Sequence, residues 1–257
     1  MKIALFSDIH ANLPALEACF KSMEEEKPDA VYCLGDLVGY NIWPNEVINE
    51  IRKRGIPTIA GNYDQGIGLA SDECGCAYKT TEEQEMGKIS ISFTNSITGS
   101  EERAYLRTLP AHIRIEFQMN NDKIILLLVH GSPRKINEYL FEDREEKSLL
   151  RMMKQAEADI MCFGHTHKPY HRILQDDSEN RITFRHAINI GSVGKPKDGD
   201  PRGCYALIDI DQNSSTSEKN SIQVRFIRFE YDVEKASLAV ESSPLPNAYA
   251  EMLRNGR

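Results

Sequence analysis

Apolar residues along the first sixty positions come in short bursts that alternate between two periods. Residues 2–6 carry the continuous run Ile3 to Phe6 and read as a buried strand. Leu16, Cys19, Phe20 and Met23 then recur at i, i+3, i+4 and i+7, behind a Pro14 that suits the first turn of a helix. The same alternation follows with a strand over 30–34 and a helix over 44–54. That helix buries Val47, Ile48 and Ile51 and stops at Gly55, and a third strand is expected over 56–60. Short apolar strands separated by amphipathic helices predict a parallel sheet covered on both faces.

The pattern changes over 66–110. Thr80 and Glu83 have capping-box spacing ahead of Met86, Ile89, Phe93 and Ile97, which predicts a helical excursion overhanging the strand ends as a cap. From Ile113 the period drops to two: Ile113, Ile115, Phe117 and Met119 alternate with polar residues. A turn at Asn120, Asn121 and Asp122 leads into a strand over 123–129. Leu149, Met152, Met153 and Ala156 mark another helix, and further strands are expected over 160–163, 171–174, 181–190, 205–210 and 222–231. The polar stretch 211–221 reads as a solvated hairpin loop, and two short helices close the chain. With no repeat and no linker, 1–257 reads as one α/β domain of two packed sheets flanked by helices.

Composition narrows the function. The 40% hydrophobic and 27% charged residues are those of a globular protein. No apolar run approaches membrane length, so a cytoplasmic enzyme without a membrane partner is expected. Thirty-one basic against 39 acidic residues give a net charge of −8, which disfavours binding to duplex nucleic acid. A phosphate-bearing substrate would then need its charge met locally. The six cysteines include no CxxC pair; Cys19, Cys33 and Cys162 fall in apolar patterns, and Cys74-Gly75-Cys76 reads as a loop rather than a metal or redox pair.

The chemistry collects at strand ends. Asp8 and His10 follow the first strand, Asp36 the second, Asn62 the third, His130 the strand over 123–129, and His165 and His167 the strand over 160–163. Singly, Asp and Asn after a strand are ordinary turn formers. Together these positions use four of the seven histidines, and ligands in α/β folds gather at carboxyl ends of strands. In extended chain, side chains two apart point the same way, so Asp8 with His10, and His165 with His167, are expected to face one site. Glycines 35, 61, 131 and 164 would allow close backbone approach. Two carboxylates, one amide oxygen and four imidazoles exceed one tetrahedral zinc. They suit two metals sharing a carboxylate, of the Mn, Fe, Zn, Ni or Co type. His112, His171 and His186 lie elsewhere, and the phase of His186 predicts a buried, hydrogen-bonded ring.

The motifs DIH at 8–10, GD at 35–36, GNxD at 61–64, HGS at 130–132 and GHTH at 164–167, in that order, resemble the calcineurin-like metallophosphoesterase superfamily. SDIHANLPALEA at 7–18, LGDLVGY at 34–40 and NIGSVGKPKDGDPR at 189–202 are similar to its small bacterial phosphodiesterase branch. The resemblance implies a four-layer α/β/β/α sandwich of two mixed sheets. It implies one divalent transition metal on Asp8, His10 and His167, a second on Asn62, His130 and His165, and Asp36 as the bridge, with Mn the favoured ion. It further implies phosphodiester or nucleotide phosphate hydrolysis by a metal-bridging hydroxide. Asn12 and the amides after Gly191 are candidate phosphate contacts, and Tyr40 a candidate pocket wall. One position departs: where most members have a His that helps the leaving group, this chain has Tyr63. A small phosphoester or nucleotide is the expected partner. A phosphomonoesterase and a dinucleoside polyphosphate hydrolase remain open alternatives. A scaffold without catalysis fits less well, because such scaffolds lose ligands and here all seven are present.

Overall fold

The computed structural model describes residues 1–120, 122–177 and 181–257. Its centre is the seam between two mixed sheets. One sheet runs β2 (Ala30–Cys33), β1 (Lys2–Phe6), β8 (Gly203–Asp209), β9 (Gln223–Phe229), with β1 parallel to β2 and antiparallel to β8. The other runs β3 (His112–Gln118), β4 (Lys123–Val129), β5 (Ile160–Phe163), β7 (Thr183–Asn189), β6 (Tyr170–Asp176), with β4, β5 and β7 parallel.

The period of two sorts side chains between layers. Ile3 and Leu5 of β1 point between the sheets, where they join Ala206, Ile208, Leu126, Leu128, Ile160 and Ile188. Ala4 and Phe6 point outward onto α1 (Leu13–Glu26), α2 (Pro44–Lys53), α7 (Val233–Glu241) and α8 (Ala248–Asn255). On the far side, Leu127, Met161, Phe163 and Ala187 pack on Leu149, Met152 and Met153 of α6 (Glu146–Gln155). Helix, sheet, sheet, helix is the expected four-layer sandwich, and burial on both faces explains the near-continuous apolar runs of β1, β4 and β5.

Three expectations change. Segment 56–60 makes one isolated parallel bridge, Thr58 to Cys33, and no ladder. Pro57 has no N–H to donate, and Ala60 N donates to Pro110 O instead of to a strand. The excursion forms α4 (Thr81–Ile97) and α5 (Ser100–Leu106), with Thr80 capping α4 as expected. The face α4 buries, however, is Gly87, Ser90, Ile91 and Thr94, while Ile89 is 44% exposed. Small residues on that face let the helix come close, and apolar periodicity cannot see them. Finally, 211–221 is not merely solvated. Asp122 accepts from Thr216 N and Oγ1, each at 2.7 Å, and Thr216 O accepts from Phe184 N. The loop is thereby pinned to the β3–β4 turn, whose Asn121 lies outside the described residues.

Candidate metal centre

The loops that follow β1 and β2 run side by side. Asp8 N donates to Gly35 O at 3.0 Å, His10 N to Asp36 O at 2.9 Å and Ala11 N to Leu37 O at 2.7 Å. This pairing holds Asp8, His10 and Asp36 in the left-handed region, with φ of 55°, 48° and 53°, and His165 and His167 share it at 64° and 60°. Five of the sequence-predicted residues thus occupy backbone that costs a non-glycine residue about 1 kcal/mol or more. Convergence therefore comes from bent strand ends, not from the extended-chain alternation that the spacing suggested. Two glycines permit the crowding. A Cβ on Gly61 would lie 2.1 Å from Asp36 Oδ1, and one on Gly164 would lie 2.4 Å from Asp8 Oδ2.

Two triads result, Asp8 with His10 and His167, and Asp36 with His130 and His165; within each the donor atoms lie within 4.8 Å of one another. All six side chains are buried. Each triad draws from both sheets: Asp8, His10 and Asp36 follow strands of the first, and His130, His165 and His167 follow strands of the second. Asp36 Oδ2 stands between the triads, 3.5 Å from His10 Nε2 and 3.4 Å from His130 Nε2. Asn62 joins from the start of α3 (Asn62–Gly68), its Oδ1 3.2 Å from His130 Nε2 and its Nδ2 donating to Cys74 O at 2.7 Å.

Second partners fix the rings. His10, His130 and His167 each place Nδ1 against a backbone carbonyl, of Val38, Leu34 and Lys195. A carbonyl only accepts, so Nδ1 carries the proton, and in the neutral rings of His10 and His167 Nε2 presents a lone pair to the site. His10 and His167 aim these nitrogens at each other across 3.3 Å. Burial pushes His10 and His165 down to about 3 and His167 well below its ordinary value, so these rings are neutral. For His130 burial pulls down, but the charge of Asp36 wins and raises it to about 10; burial would raise Asp36, but His130 beside it holds it low. Among the described residues, Asp8 Oδ1 and His165 Nε2 are buried with no hydrogen-bond partner. Buried polar atoms without partners are rare in native proteins. Convergent lone pairs, orphaned ligand-type atoms and a mixed imidazole, carboxylate and amide donor set fit divalent transition metals.

Beside the triads lies a small, partly open cavity lined by His10, Asp36, Asn62, His165 and His167 together with Tyr40, Tyr63, Cys76, Tyr139 and Lys197. Tyr63 is buried, its ring 5.4 Å from that of His10 and its hydroxyl 3.4 Å from that of Tyr78, and burial raises its pKa well above the usual phenol value. Asp64 holds this turn by accepting from Gly61 N and Leu37 N. Asn12 and the amides after Gly191, expected at the phosphate, are engaged elsewhere. Asn12 Oδ1 caps α1 through Ala15 N while its Nδ2 donates to Gly194 O. Of the amides after Gly191, Val193 N donates to Ser7 O, Gly194 N to Asp8 O and Lys195 N to Ser192 Oγ.

Sequence reasoning missed three lining residues. Cys76 belongs to a stretch read as a plain loop, yet its Sγ sits 3.4 Å from Asn62 Nδ2. Tyr139 lays its ring 4.1 Å from that of His165, from an irregular segment with no periodic signal. Lys197 stands in the 189–202 motif, where two lysines beside prolines and glycines after a strand were the available sign. Its neighbour Lys195 is buried with Nζ 4.9 Å from the Tyr40 ring centre and 5.7 Å from that of Tyr249.

Residues 1–213 match the calcineurin-like phosphoesterase superfamily domain. The chain belongs to this superfamily. The phosphoesterase is 30% identical over 264 residues to an uncharacterized protein of Methanocaldococcus jannaschii, covering 99% of this chain and 98% of the relative. It is similar to the crystal structure of a metallophosphoesterase from Sphaerobacter thermophilus at 26% identity and a TM-score of 0.72, covering 100% of this chain and 99% of that one. It shares its fold with a hypothetical protein of Pyrococcus horikoshii OT3 at 23% identity and a TM-score of 0.77, covering 100% and 98%. The phosphoesterase is thus a hydrolase of phosphoric esters from a metal-dependent family, and it carries two candidate metal-ligand clusters. Among the described residues no helix is long and apolar enough to cross a membrane.

Proposed function

We propose that this phosphoesterase is a dinuclear enzyme that hydrolyses phosphodiester or nucleotide phosphate bonds. Asp8, His10 and His167 would hold one cation, Asn62, His130 and His165 the other, and Asp36 would serve both. The observation that carries this reading is the place of Asp36 Oδ2, 3.5 Å from a ligand atom of one triad and 3.4 Å from one of the other. The donor set suits Mn, Fe, Zn, Ni or Co, and the family resemblance puts Mn first. When bound, such a pair supplies positive charge to phosphoryl oxygens and lowers the pKa of a water.

The chain's own residues do the rest. The carbonyls of Val38, Leu34 and Lys195 fix the imidazoles, and Cys74 O turns the Asn62 amide so that its oxygen faces the site. Tyr40 and Tyr63 wall the cavity. With its proton held tightly by burial, Tyr63 gives little help to a leaving group, so substrates with good leaving groups, aryl diesters or phosphoanhydrides, are favoured over alkyl monoesters. The excursion over 66–110 acts as a cap on this one domain. Ser90 of α4 accepts from Tyr40 N, and Cys76 lines the cavity, which supports an influence on substrate choice.

The test pairs wild type with Asp36→Asn on mono- and bis-nitrophenyl phosphate and a nucleotide panel in Mn²⁺, with bound metal counted by atomic emission. Wild type should bind two ions per chain and turn over a diester or anhydride best. A variant that keeps more than about a tenth of turnover at saturating Mn²⁺ would rule out the shared role of Asp36.

A further inference from the structure

Hydrogen-bond donors are scarce around this cavity, and an oxyanion needs them. The bare imidazole nitrogens of His10 and His167 and the carboxylate of Asp36 offer only lone pairs. The Asn62 amide N–H groups are committed to Cys74 O and Cys76 Sγ. Of the groups expected at the phosphate, the Asn12 amide and the Val193 and Gly194 N–H groups already donate to backbone carbonyls. The phenols of Tyr40 and Tyr63 are neutral donors that lie against each other, ring centres 4.7 Å apart.

Lys197 is different. It is half-buried, it lines the cavity, and its ammonium makes no hydrogen bond or ion pair among the described residues. Lys195 lines no part of the cavity. Its Nζ rests on the faces of Tyr40 and Tyr249 and against Met252 Sδ. Among the described residues, Lys197 is therefore the one cationic side chain lining the cavity. A half-buried ammonium without a partner carries a desolvation cost that an anion at the same place would offset.

We infer that Lys197 is a substrate contact of this site, its ammonium donating to a phosphoryl oxygen of the bound ester and favouring substrates that carry more than one negative charge there. The inference rests on the proposed phosphoesterase reading of the site. In the cleavage the water oxygen bonds to phosphorus and gives up a proton, while the broken P–O bond leaves its electron pair on the departing oxygen, which takes a proton to become the alcohol. Lys197 keeps its proton and acts by charge and hydrogen bonding alone.

The test uses inorganic phosphate as the probe, titrated calorimetrically into Mn²⁺-loaded wild type, Lys197→Met and Lys197→Arg, with bound Mn counted on each. Hydrogen bonds to charged groups are worth enough for Lys197→Met to weaken phosphate binding about 10- to 100-fold at unchanged metal content. Lys197→Arg should stay within about 5-fold of wild type. Lys197→Gln replaces the Met variant if the latter melts early. Phosphate affinity within twofold of wild type in the neutral variant overturns the inference, and so does a loss that tracks loss of metal. Should metal-loaded wild type neither bind phosphate nor cleave any phosphoester, the phosphoesterase reading itself fails; an active wild type with an unaffected Lys197→Met refutes only the role of Lys197.

Discussion

Replacing Gly61 by Ala isolates how closely two loops must approach to hold Asp36. Gly61 sits at φ −88°, ψ 173°, a conformation Ala adopts without strain, so any effect is steric. The new Cβ would stand 2.1 Å from Asp36 Oδ1 and 2.3 Å from Asp36 N. Carbon needs roughly 3.4 Å or more, so the carboxylate or the loop must move by about 1 Å. That movement breaks the bond from Tyr63 N to Asp36 Oδ1, now 2.8 Å. Losing a hydrogen bond to a charged acceptor costs about 1.5–3 kcal/mol, and overpacking adds about 1–3 kcal/mol. Together these give roughly 2.5–6 kcal/mol, a fall in melting temperature of about 5–24 °C for a chain of this size.

Displacing a group by an ångström at a catalytic centre costs about 10²-fold in turnover. Differential scanning fluorimetry, metal counting and bis-nitrophenyl phosphate turnover would read these effects. Gly55→Ala is the control. Gly55 has φ +62°, and a Cβ added there would meet no atom within 4 Å. Ala at that position costs only backbone strain, about 1–2 kcal/mol, with turnover and metal intact. If Gly61→Ala keeps more than half its turnover and its full metal content, close approach is not what positions Asp36.

Two further outcomes concern buried rings. His186 is buried, with Nδ1 3.0 Å from His171 Nε2; burial first, then His171, brings its pKa down to about 4. The unfolded chain binds a proton near pH 6.5 that the folded ring refuses, so stability is full above that pH and falls as pH drops toward 4, by at most roughly 3 kcal/mol. Urea midpoints of wild type should therefore fall faster than those of His186→Gln over this window, and parallel curves would refute the assignment. Tyr63→Phe should leave turnover of aryl diesters within about threefold; a loss of about 100-fold confined to poor leaving groups would make Tyr63 an acid after all.

Much of the scaffold was legible because burial on two faces leaves runs that no other element explains. β1, β4 and β5 appeared at their observed bounds, and the helices over Leu16 to Met23 and Val47 to Ile51 kept their apolar faces. The triads were legible because ligand-type residues at the ends of four strands exceed what turns require. What failed had physical causes. Spacing cannot report the left-handed backbone that aims Asp8 and His10. Small residues, not Ile89, let α4 pack closely. Asn12 resembled a phosphate contact, but a helix N-cap uses the same residue type for another purpose. Lys197 and Tyr139 approach from irregular loops, where no period exists to be read.

Because each triad takes ligands from both sheets, neither half of the sandwich owns a binding site. Metal affinity and the docking of one sheet on the other are then two readings of a single equilibrium. An ion bound at the top of the seam acts as a rivet, tightening strands whose main other bond is apolar packing. Chelation should loosen amide protection along β1 and β5 together, including residues far from any ligand. During folding the centre can form only after chain separated by more than 150 positions, from Asp8 to His165, has met. Ion capture would then close the folding reaction, with the last docking step setting its rate.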